Sequence, residues 1–271
     1  MAGTGDPVVV FLHALGSRRD WDPIWDDAME LGRVVRFDLP GFGDSPRDTL
    51  ASTPEAVARL VADDLSSLGI SRAILVGLSL GGWVALELAK LGRAEAVLGL
   101  GTAGLWRRHS LLLTDLKLNI GWLYARVYRP IMPFLLRLRP VRRLALRDVS
   151  ARPADIPAEW AIESSRQLAR ARGWPRFYRH TRKLRFTGGE AIDVPVVLAF
   201  GARDRIAPAR KSRHVDQLPA HVEVQTWEGS GHNLVWDAPD RVLSALRTLA
   251  AAPNRATGRT TADAPGVGQS Q

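Results

Sequence analysis

The chain has 271 residues, of which 46% are apolar and 24% are charged. This composition fits one or two folded domains and excludes a mainly disordered protein. There is no cysteine, which excludes disulfide scaffolds, thiol nucleophiles, zinc fingers and iron–sulfur clusters. The first residues lack the basic start and apolar core of a secretory signal, and the uncharged stretch 73–86 is shorter than a membrane span. We therefore expect a cytoplasmic protein without a transmembrane segment.

The positive charge is concentrated in one internal segment. Residues 106–190 contain 17 Arg and 2 Lys against 6 acidic residues, a net charge of +13, whereas the whole chain carries +9. The rest of the chain is therefore slightly acidic, and the basic segment is set apart from it.

Short apolar runs alternate with helical patterns along most of the chain. Strands are predicted at 8–12, 34–37, 73–76, 96–100, 194–200 and 222–227. Most of these runs are continuously apolar, which is typical of parallel strands buried on both faces. Helices are predicted at 21–31, 54–68, 80–91, 208–218 and 240–251. The alternation predicts an α/β fold, a mostly parallel sheet flanked by helices.

Two segments depart from this alternation. Residues 104–191 show basic helical stretches broken by prolines and no strand pattern, which predicts an Arg-rich helical cap inserted between two strands. The core would then comprise residues 1–103 and 192–252. Residues 253–271 are rich in Thr, Ala, Gly and Pro without periodicity, and we interpret them as a disordered tail.

A G-x-S-x-G pentapeptide, Gly77-Leu78-Ser79-Leu80-Gly81, lies between a predicted strand and a predicted helix. This context is the one that a nucleophile elbow requires. The sharp turn leaves no room for a Cβ two residues before or after the serine, and both of those positions are glycine. The pattern predicts that Ser79 stands at the carboxyl edge of the sheet, at the positive end of a helix.

A hydroxyl needs a base to act as a nucleophile, and two later loops supply the required groups. Asp204 follows the strand at 194–200 and His232 follows the strand at 222–227. Loops after parallel strands open on the same edge as Ser79. We predict Ser79 as nucleophile, His232 as general base and then acid, and Asp204 as the group that orients the imidazole.

With these motifs, the chain resembles the α/β-hydrolase superfamily from residue 8 to about residue 252. Further matching motifs are His13-Ala14-Leu15-Gly16 and the run Asp-Leu-Pro-Gly-Phe-Gly-Asp-Ser at 38–45. The resemblance implies an oxyanion hole made by the backbone N–H groups of Leu80 and Leu15, and a cap over the active site.

Two features depart from the family pattern. Ala14 stands where the family usually has glycine, and 12 residues before His13 leave no room for the usual N-terminal antiparallel strand pair. The strand at 34–37 would then be an exposed sheet edge, from which we hypothesise that the protein dimerises.

Several residues are candidates for the pocket wall, namely His13, Trp106 and Trp236. For His13 a structural place beneath the oxyanion loop is the more usual outcome. The run Gly99-Leu100-Gly101-Thr102-Ala103-Gly104 matches a dinucleotide-binding fingerprint, but positions 119–128 hold no acidic residue, which the motif requires about 20 positions on. No cofactor and no metal site is predicted.

The basic segment allows several interpretations. It is a solvated Arg-rich face, the rim of a hydrophobic substrate tunnel, a contact for an anionic lipid surface, or a site for an anionic substrate or an acidic partner protein. Nucleic acid is disfavoured because no recognition motif accompanies the charge.

The residues together predict a serine hydrolase that cleaves a carboxylic ester, lactone or thioester with a hydrophobic part through an acyl-enzyme, class EC 3.1. Serine in the elbow disfavours the dehalogenase and epoxide-hydrolase branches, which use a carboxylate nucleophile. An acyltransferase, a C–C hydrolase or a perhydrolase would use the same triad. A ligand-binding protein with little turnover is the alternative outside enzymes.

Overall fold

The sheet is central to the computed structural model, which describes residues 1–46, 51–107 and 112–251. The tail predicted at 253–271 lies outside these residues. The strands are β1 (Val8–Leu12), β2 (Arg33–Phe37), β3 (Ala73–Leu78), β4 (Ala94–Leu100), β5 (Val196–Gly201) and β6 (Glu223–Trp227). They form one sheet in the order β2-β1-β3-β4-β5-β6. Every neighbouring pair is parallel.

Helices cover both faces of the sheet and fill a long connection between two of its strands. They are α1 (Trp25–Met29), α2 (Pro54–Ser67), α3 (Leu80–Lys90), α4 (Leu112–Val127), α5 (Met132–Leu135), α6 (Arg139–Ala145), α7 (Ala158–Arg170), α8 (Trp174–Thr181), α9 (Ala209–Ser212), α10 (Leu234–Asp237) and α11 (Pro239–Ala251). Short 3-10 helices span Arg18–Ile24 and Gly189–Ala191. As predicted, α2 begins with Pro54 after the N-cap Thr53, whose hydroxyl accepts a hydrogen bond from Ala56 N at 3.3 Å.

The four central strands β1, β3, β4 and β5 are buried because the sheet has a hydrophobic core on each side, whereas the edge strand β6 is largely exposed. In β1, Val10 and Leu12 pack into one core together with Trp83, whereas Val9 and Phe11 pack into the other. Successive side chains of a strand point to opposite faces, so a strand between two cores is apolar at every position. This arrangement confirms the α/β fold with a mostly parallel sheet.

Strand β2 is an edge of the sheet, with β1 as its hydrogen-bonded neighbour. Its other side carries one antiparallel bridge, in which Ala2 and Val34 exchange two backbone hydrogen bonds of 3.0 and 2.8 Å. Within the described residues no N-terminal antiparallel strand pair extends the sheet there. Dimerisation through this edge stays a hypothesis.

Two helix predictions differ from the structure. The helix predicted at 208–218 is the single turn α9, because Arg213 leaves helical geometry, donates to Gly201 O at 2.7 Å and lies over the Phe200 ring. The helix predicted at 21–31 begins as the 3-10 helix Arg18–Ile24 and becomes α1 at Trp25. Pro23 accounts for this change, since a proline has no N–H to donate within an α-helix.

Helices α4 to α8 occupy the connection between β4 and β5, where the sequence predicts the inserted segment. No strand occurs in the described part of this connection. Proline stands in the first turn of α5, α6 and α8, the position where its missing N–H costs least. The prolines therefore separate consecutive short helices here.

A search of the described residues for a helix long and apolar enough to span a membrane found none.

The packing of α3 against the sheet yields a stability prediction. A Cβ at Gly81 would lie 1.9 Å from the carbonyl oxygen of Leu12, whereas one at Gly121 in α4 would meet nothing within 4 Å. We expect Gly81→Ala to lower the free energy of unfolding by about 3 kcal/mol or more, as overpacking against backbone does. Gly121→Ala, the matched control, should raise it by about 0.5–1 kcal/mol through helix propensity. Denaturant unfolding measures both, and equal effects would contradict the close approach.

Candidate active site

Three side chains from loops after β3, β5 and β6 form one chain of hydrogen bonds. His232 Nε2 lies 3.0 Å from Ser79 Oγ, and His232 Nδ1 lies 2.8 Å from Asp204 Oδ2. The carboxylate can only accept, so it holds the proton on Nδ1 and leaves Nε2 free to accept from the hydroxyl. This geometry allows a proton to pass from Ser79 to His232 without rearrangement.

The backbone of Ser79 is strained. Its φ of 52° and ψ of −107° are unusual for a residue with a side chain. The turn is tight enough that a Cβ at Gly77 would lie 2.3 Å from Gly81 O. Hydrogen bonds from Ser79 N to Leu100 O at 2.8 Å and from Ala103 N to Ser79 O at 3.0 Å hold the turn. The fold therefore sustains the strain that presents the hydroxyl.

Asp204 is buried and has partners for both of its carboxylate oxygens. One oxygen faces His232, and the other accepts hydrogen bonds from Ile206 N at 2.8 Å and Ala207 N at 2.7 Å. Burial alone would raise the pKa of Asp204, but the imidazole and the two N–H groups outweigh it and hold the pKa below its ordinary value. The carboxylate thus stays ionised beside the imidazole.

The loop that carries His232 is held by Asp237, a residue that the sequence reading missed. One oxygen of this buried carboxylate accepts from Ser150 Oγ at 2.6 Å, and the other accepts from Ala151 N at 2.8 Å and Gly231 N at 2.6 Å. Asp237 therefore joins the histidine loop to the inserted helical segment. No local pattern marks it, because its partners are brought to it by the fold.

The proposed oxyanion donors lie at the cavity wall. Both Leu15 and Leu80 line the cavity, and neither N–H donates to another described residue. Leu80 is the first residue of α3, where N–H groups have no partner within the helix. The loop before Leu15 is held by Asp20, whose Oδ2 accepts from Ala14 N at 3.2 Å.

Asp20 is a second carboxyl group that the sequence reading missed. It is buried next to the oxyanion loop and lines the cavity. Burial raises its pKa to about 7, and the acidic Asp22 and Asp38 act in the same direction, while the Ala14 N–H opposes the shift. The local sequence does not indicate that Asp20 is buried, since Asp22 lies in the same 3-10 helix and is only partly buried.

His13 lies beneath the loop that carries the proposed donor Leu15 and is not on the cavity wall, where the sequence suggested it as a pocket residue. It is fully buried, with Nε2 accepting from Leu39 N at 2.8 Å and Nδ1 donating to Ala14 O at 2.9 Å. Burial lowers the pKa of His13 to about 4, against the opposing effect of Asp38. The ring therefore remains neutral and joins two loops.

A cavity of about 320 Å³ opens at Ser79, and most of its wall is apolar. Trp106 and Trp236, both pocket candidates from the sequence, line it. Trp106 packs edge-on against Trp83 and donates to Leu184 O at 2.7 Å, which fixes its ring. The cavity lies between the sheet edge and the inserted helices, several of which contribute to its wall.

One glycine of the run at 99–104, Gly101, lies directly after β4 and next to His232. A Cβ at Gly101 would lie 3.2 Å from His232 Nδ1, so a glycine here lets the imidazole approach the strand end. No group of three or more residues able to hold a metal ion occurs in the described ranges.

The comparisons with known proteins place the chain in a family. Residues 9–245 match the model of the alpha/beta hydrolase family, and the chain belongs to this family of hydrolases. It is 33% identical over 197 residues to epoxide hydrolase EphH of Mycobacterium tuberculosis (strain ATCC 25618 / H37Rv), covering 70% of this chain and 91% of that protein. It is 25% identical over 257 residues to Esterase Rv0045c of the same strain, covering 90% and 83%.

A solved structure supports the fold. A meta-cleavage product hydrolase from Pseudomonas fluorescens IP01 superposes with a TM-score of 0.71 at 19% identity, covering 92% of this chain and 91% of that one.

The burial of Asp20 yields a pH-dependence prediction. Because its pKa in the folded state, about 7, lies above its ordinary value of 3.8, the folded state holds this proton more tightly. Its contribution to stability is full below pH 4 and is lost as the pH rises through 7. The side chain of Asp20→Asn stays neutral at every pH. As the pH rises from 5 to 8, we therefore expect the free energy of unfolding of wild type to fall by about 3 kcal/mol relative to that of Asp20→Asn.

Denaturant unfolding at both pH values measures this change. The same substitution at the exposed Asp26 is the control. A difference between wild type and Asp20→Asn that does not change with pH would contradict the assignment.

Proposed function

We propose that the protein is a serine hydrolase that cleaves a carboxylic ester, lactone or thioester with an apolar acyl part. The single observation that carries this proposal is the hydrogen-bonded chain of Ser79, His232 and Asp204, with its serine in a strained turn at an apolar cavity. A strained backbone and a buried ionised carboxylate are costly features, and a reaction at Ser79 Oγ accounts for both.

The reaction begins with attack of Ser79 Oγ on the acyl carbon. His232 Nε2 takes the hydroxyl proton, and Asp204 stabilises the imidazolium that forms. The oxyanion of the tetrahedral intermediate would accept from the N–H groups of Leu80 and Leu15. One such donor contributes about 3–4 kcal/mol in enzymes of this kind.

The intermediate then collapses, and His232 gives its proton to the leaving oxygen or sulfur as that bond breaks. Water, deprotonated by His232, attacks the acyl carbon of the acyl-enzyme. The second intermediate releases the carboxylic acid and returns the proton to Ser79 Oγ. Asp204 keeps its negative charge throughout, in agreement with its low pKa.

The cavity favours a substrate with an apolar part. Its wall includes the rings of Trp83, Trp106, Phe177 and Trp236, and burying apolar area there gives about 25 cal/mol per Å². The rings would hold the acyl chain while the polar groups at Ser79 act on the carbonyl.

An epoxide is disfavoured as the substrate, although one relative is named an epoxide hydrolase. Serine occupies the nucleophile position, whereas the epoxide-hydrolase branch uses a carboxylate there. An alkoxide opening an epoxide would leave an ether, which water does not hydrolyse, so the enzyme would stop after one turnover. An acyl-enzyme has no such difficulty.

The proposal predicts that Ser79→Ala lowers turnover of a short-chain p-nitrophenyl ester by about 10⁴-fold or more, as loss of a triad serine does. The variant should unfold at the same temperature as wild type, because among the described residues the Ser79 hydroxyl makes a hydrogen bond to the His232 imidazole alone. Ser164→Ala is the matched control, since Ser164 is another serine in the wall of the same cavity.

A fluorophosphonate probe separates an activated serine from an inert one. We expect rapid labelling of wild type and Ser164→Ala at residue 79 and none of Ser79→Ala. Labelling of Ser79 with no turnover across a panel of esters, lactones and thioesters would favour a binding protein. Turnover of an epoxide that survives in Ser79→Ala would refute the acyl-enzyme mechanism.

A further inference from the structure

Helix α4 presents an apolar stripe to solvent. The exposed residues of this stripe, which we call the outer face, are Leu116, Ile120, Leu123, Tyr124, Val127 and Tyr128. Their spacing of three and four residues places them on one side of the helix. The exposures of Leu123, Tyr124 and Val127 are 51%, 53% and 59%. Single exposed apolar residues are ordinary, but a continuous stripe of them marks an interaction site.

The side of α4 opposite to the outer face is also apolar. It packs against α7, and Leu118 and Gly121 line the active-site cavity. Trp122 is anchored there by a hydrogen bond from its Nε1 to Ala171 O at 3.1 Å. The helix thus needs only this inner side for packing within the fold, so the apolar character of the outer face requires another explanation.

Exposed apolar residues continue beyond the end of α4. Ile131, Phe134 and Leu138 are 46%, 67% and 56% exposed. The backbone continues the helical turn from Tyr124 to Tyr128, whose rings stack at 5.4 Å. The apolar surface therefore extends over roughly 18 Å of α4, from Leu116 to Val127 at about 1.5 Å per residue, and into the segment after it.

The unpaired charges in the segment that forms this surface are positive, and its Lys117 is ion-paired with Asp148 at 3.3 Å. Residues 116–147 contain seven Arg and one Lys and no acidic residue. Arg129, Arg139 and Arg143 are exposed, and none of them makes an ion pair or hydrogen bond within the described residues. Arg126 and Arg137 lie over the rings of Trp122 and Phe134. The segment that carries the outer face and the exposed residues after it is thus both apolar and cationic.

We propose that the outer face of α4, with the exposed residues that follow it, docks onto an anionic lipid bilayer surface. Apolar side chains would enter the boundary of the acyl region while the arginines pair with acidic head groups, as in helices that lie in a membrane interface. Tyrosine suits this depth because its ring is apolar and its hydroxyl polar. We propose a lipid surface as the binding partner because the charges of Arg129, Arg139 and Arg143 complement those of acidic head groups.

A second copy of the chain fits this face less well. In a two-fold symmetric pair each copy offers the same patch, so the arginine borders would face each other without acidic partners. Nor does the end of the chain match it, since residues 252–271 are mostly small and polar and contain two further arginines. A bilayer supplies negative charge and an apolar layer together, over an extended area, without a matching shape.

Vesicle flotation with the full-length protein tests the proposal. At about 0.1 M NaCl we expect wild type to float with 1:1 phosphatidylglycerol/phosphatidylcholine vesicles and to stay behind with phosphatidylcholine alone. Raising NaCl to about 1 M shortens the Debye length from about 10 to 3 Å and should release most of the protein. No flotation with phosphatidylglycerol vesicles would overturn the proposal.

Two triple variants test whether binding depends on the outer face and the residues after it or on exposed apolar residues in general. They are Leu123→Ser/Val127→Ser/Phe134→Ser on this surface and Leu91→Ser/Val215→Ser/Val224→Ser elsewhere, all at exposed positions. We expect the first to lower the partition coefficient at least about tenfold and the second to leave it unchanged. Thermal unfolding checks that both fold. Equal binding by the two variants would overturn the docking.

A second pair of variants tests the charges. Arg129→Gln/Arg139→Gln/Arg143→Gln and the control Arg59→Gln/Arg210→Gln/Arg247→Gln each remove three exposed charges. Only the first should weaken binding, again at least about tenfold. If the arginine variant loses binding while the Leu123/Val127/Phe134 variant keeps it, the contact is a polyanion site and the interfacial docking is wrong.

Light scattering without vesicles tests whether a second copy of the chain binds this surface. We expect a monomer. A dimer that becomes a monomer on Leu123→Ser/Val127→Ser/Phe134→Ser would assign the surface to a second copy and overturn the proposal.

Discussion

The candidate site depends on one close approach, in which the first turn of α3 packs at Gly81 against the end of β1. A Cβ at this position would meet the Leu12 carbonyl at 1.9 Å, so only a glycine allows the turn to be this tight. The tight turn holds Ser79 at a φ of 52° and places Leu80, the first residue of α3, in the cavity wall. His232 reaches the hydroxyl at 3.0 Å because both stand at the same edge of the parallel sheet.

Two buried carboxyl groups near this edge differ because their partners differ. Asp204 faces an imidazole and accepts from two backbone N–H groups, which compensate its burial and favour the charged form. Asp20 accepts from Ala14 N at 3.2 Å and has acidic neighbours, so its burial favours the neutral form. The fold thereby favours the ionised form of the carboxyl group in the proposed triad and the protonated form of the carboxyl group that supports the loop before Leu15.

Helix α4 has two apolar sides with different surroundings. Its inner side lines the cavity and packs on α7, and its outer face meets solvent. One element, about 10 Å across, therefore contributes to both the cavity wall and the proposed lipid contact. A substrate that partitions into a bilayer would then meet the enzyme at the surface that borders its cavity.

The sequence by itself determined the parallel sheet, because continuous apolar runs indicate strands buried on both faces. It also determined the position of the turn at Ser79, because only glycines fit two residues before and after the serine. It also predicted Ser79, Asp204 and His232 as partners, whose roles remain predictions. Only the tertiary structure decided that α9 is a single turn and that His13 lies beneath the loop before Leu15. It also decided that Asp20 and Asp237 accept hydrogen bonds from the loops at Ala14 and Gly231. Asp237 bonds to Ser150, 87 positions away, and a local pattern carries no information about a partner that only folding brings into contact.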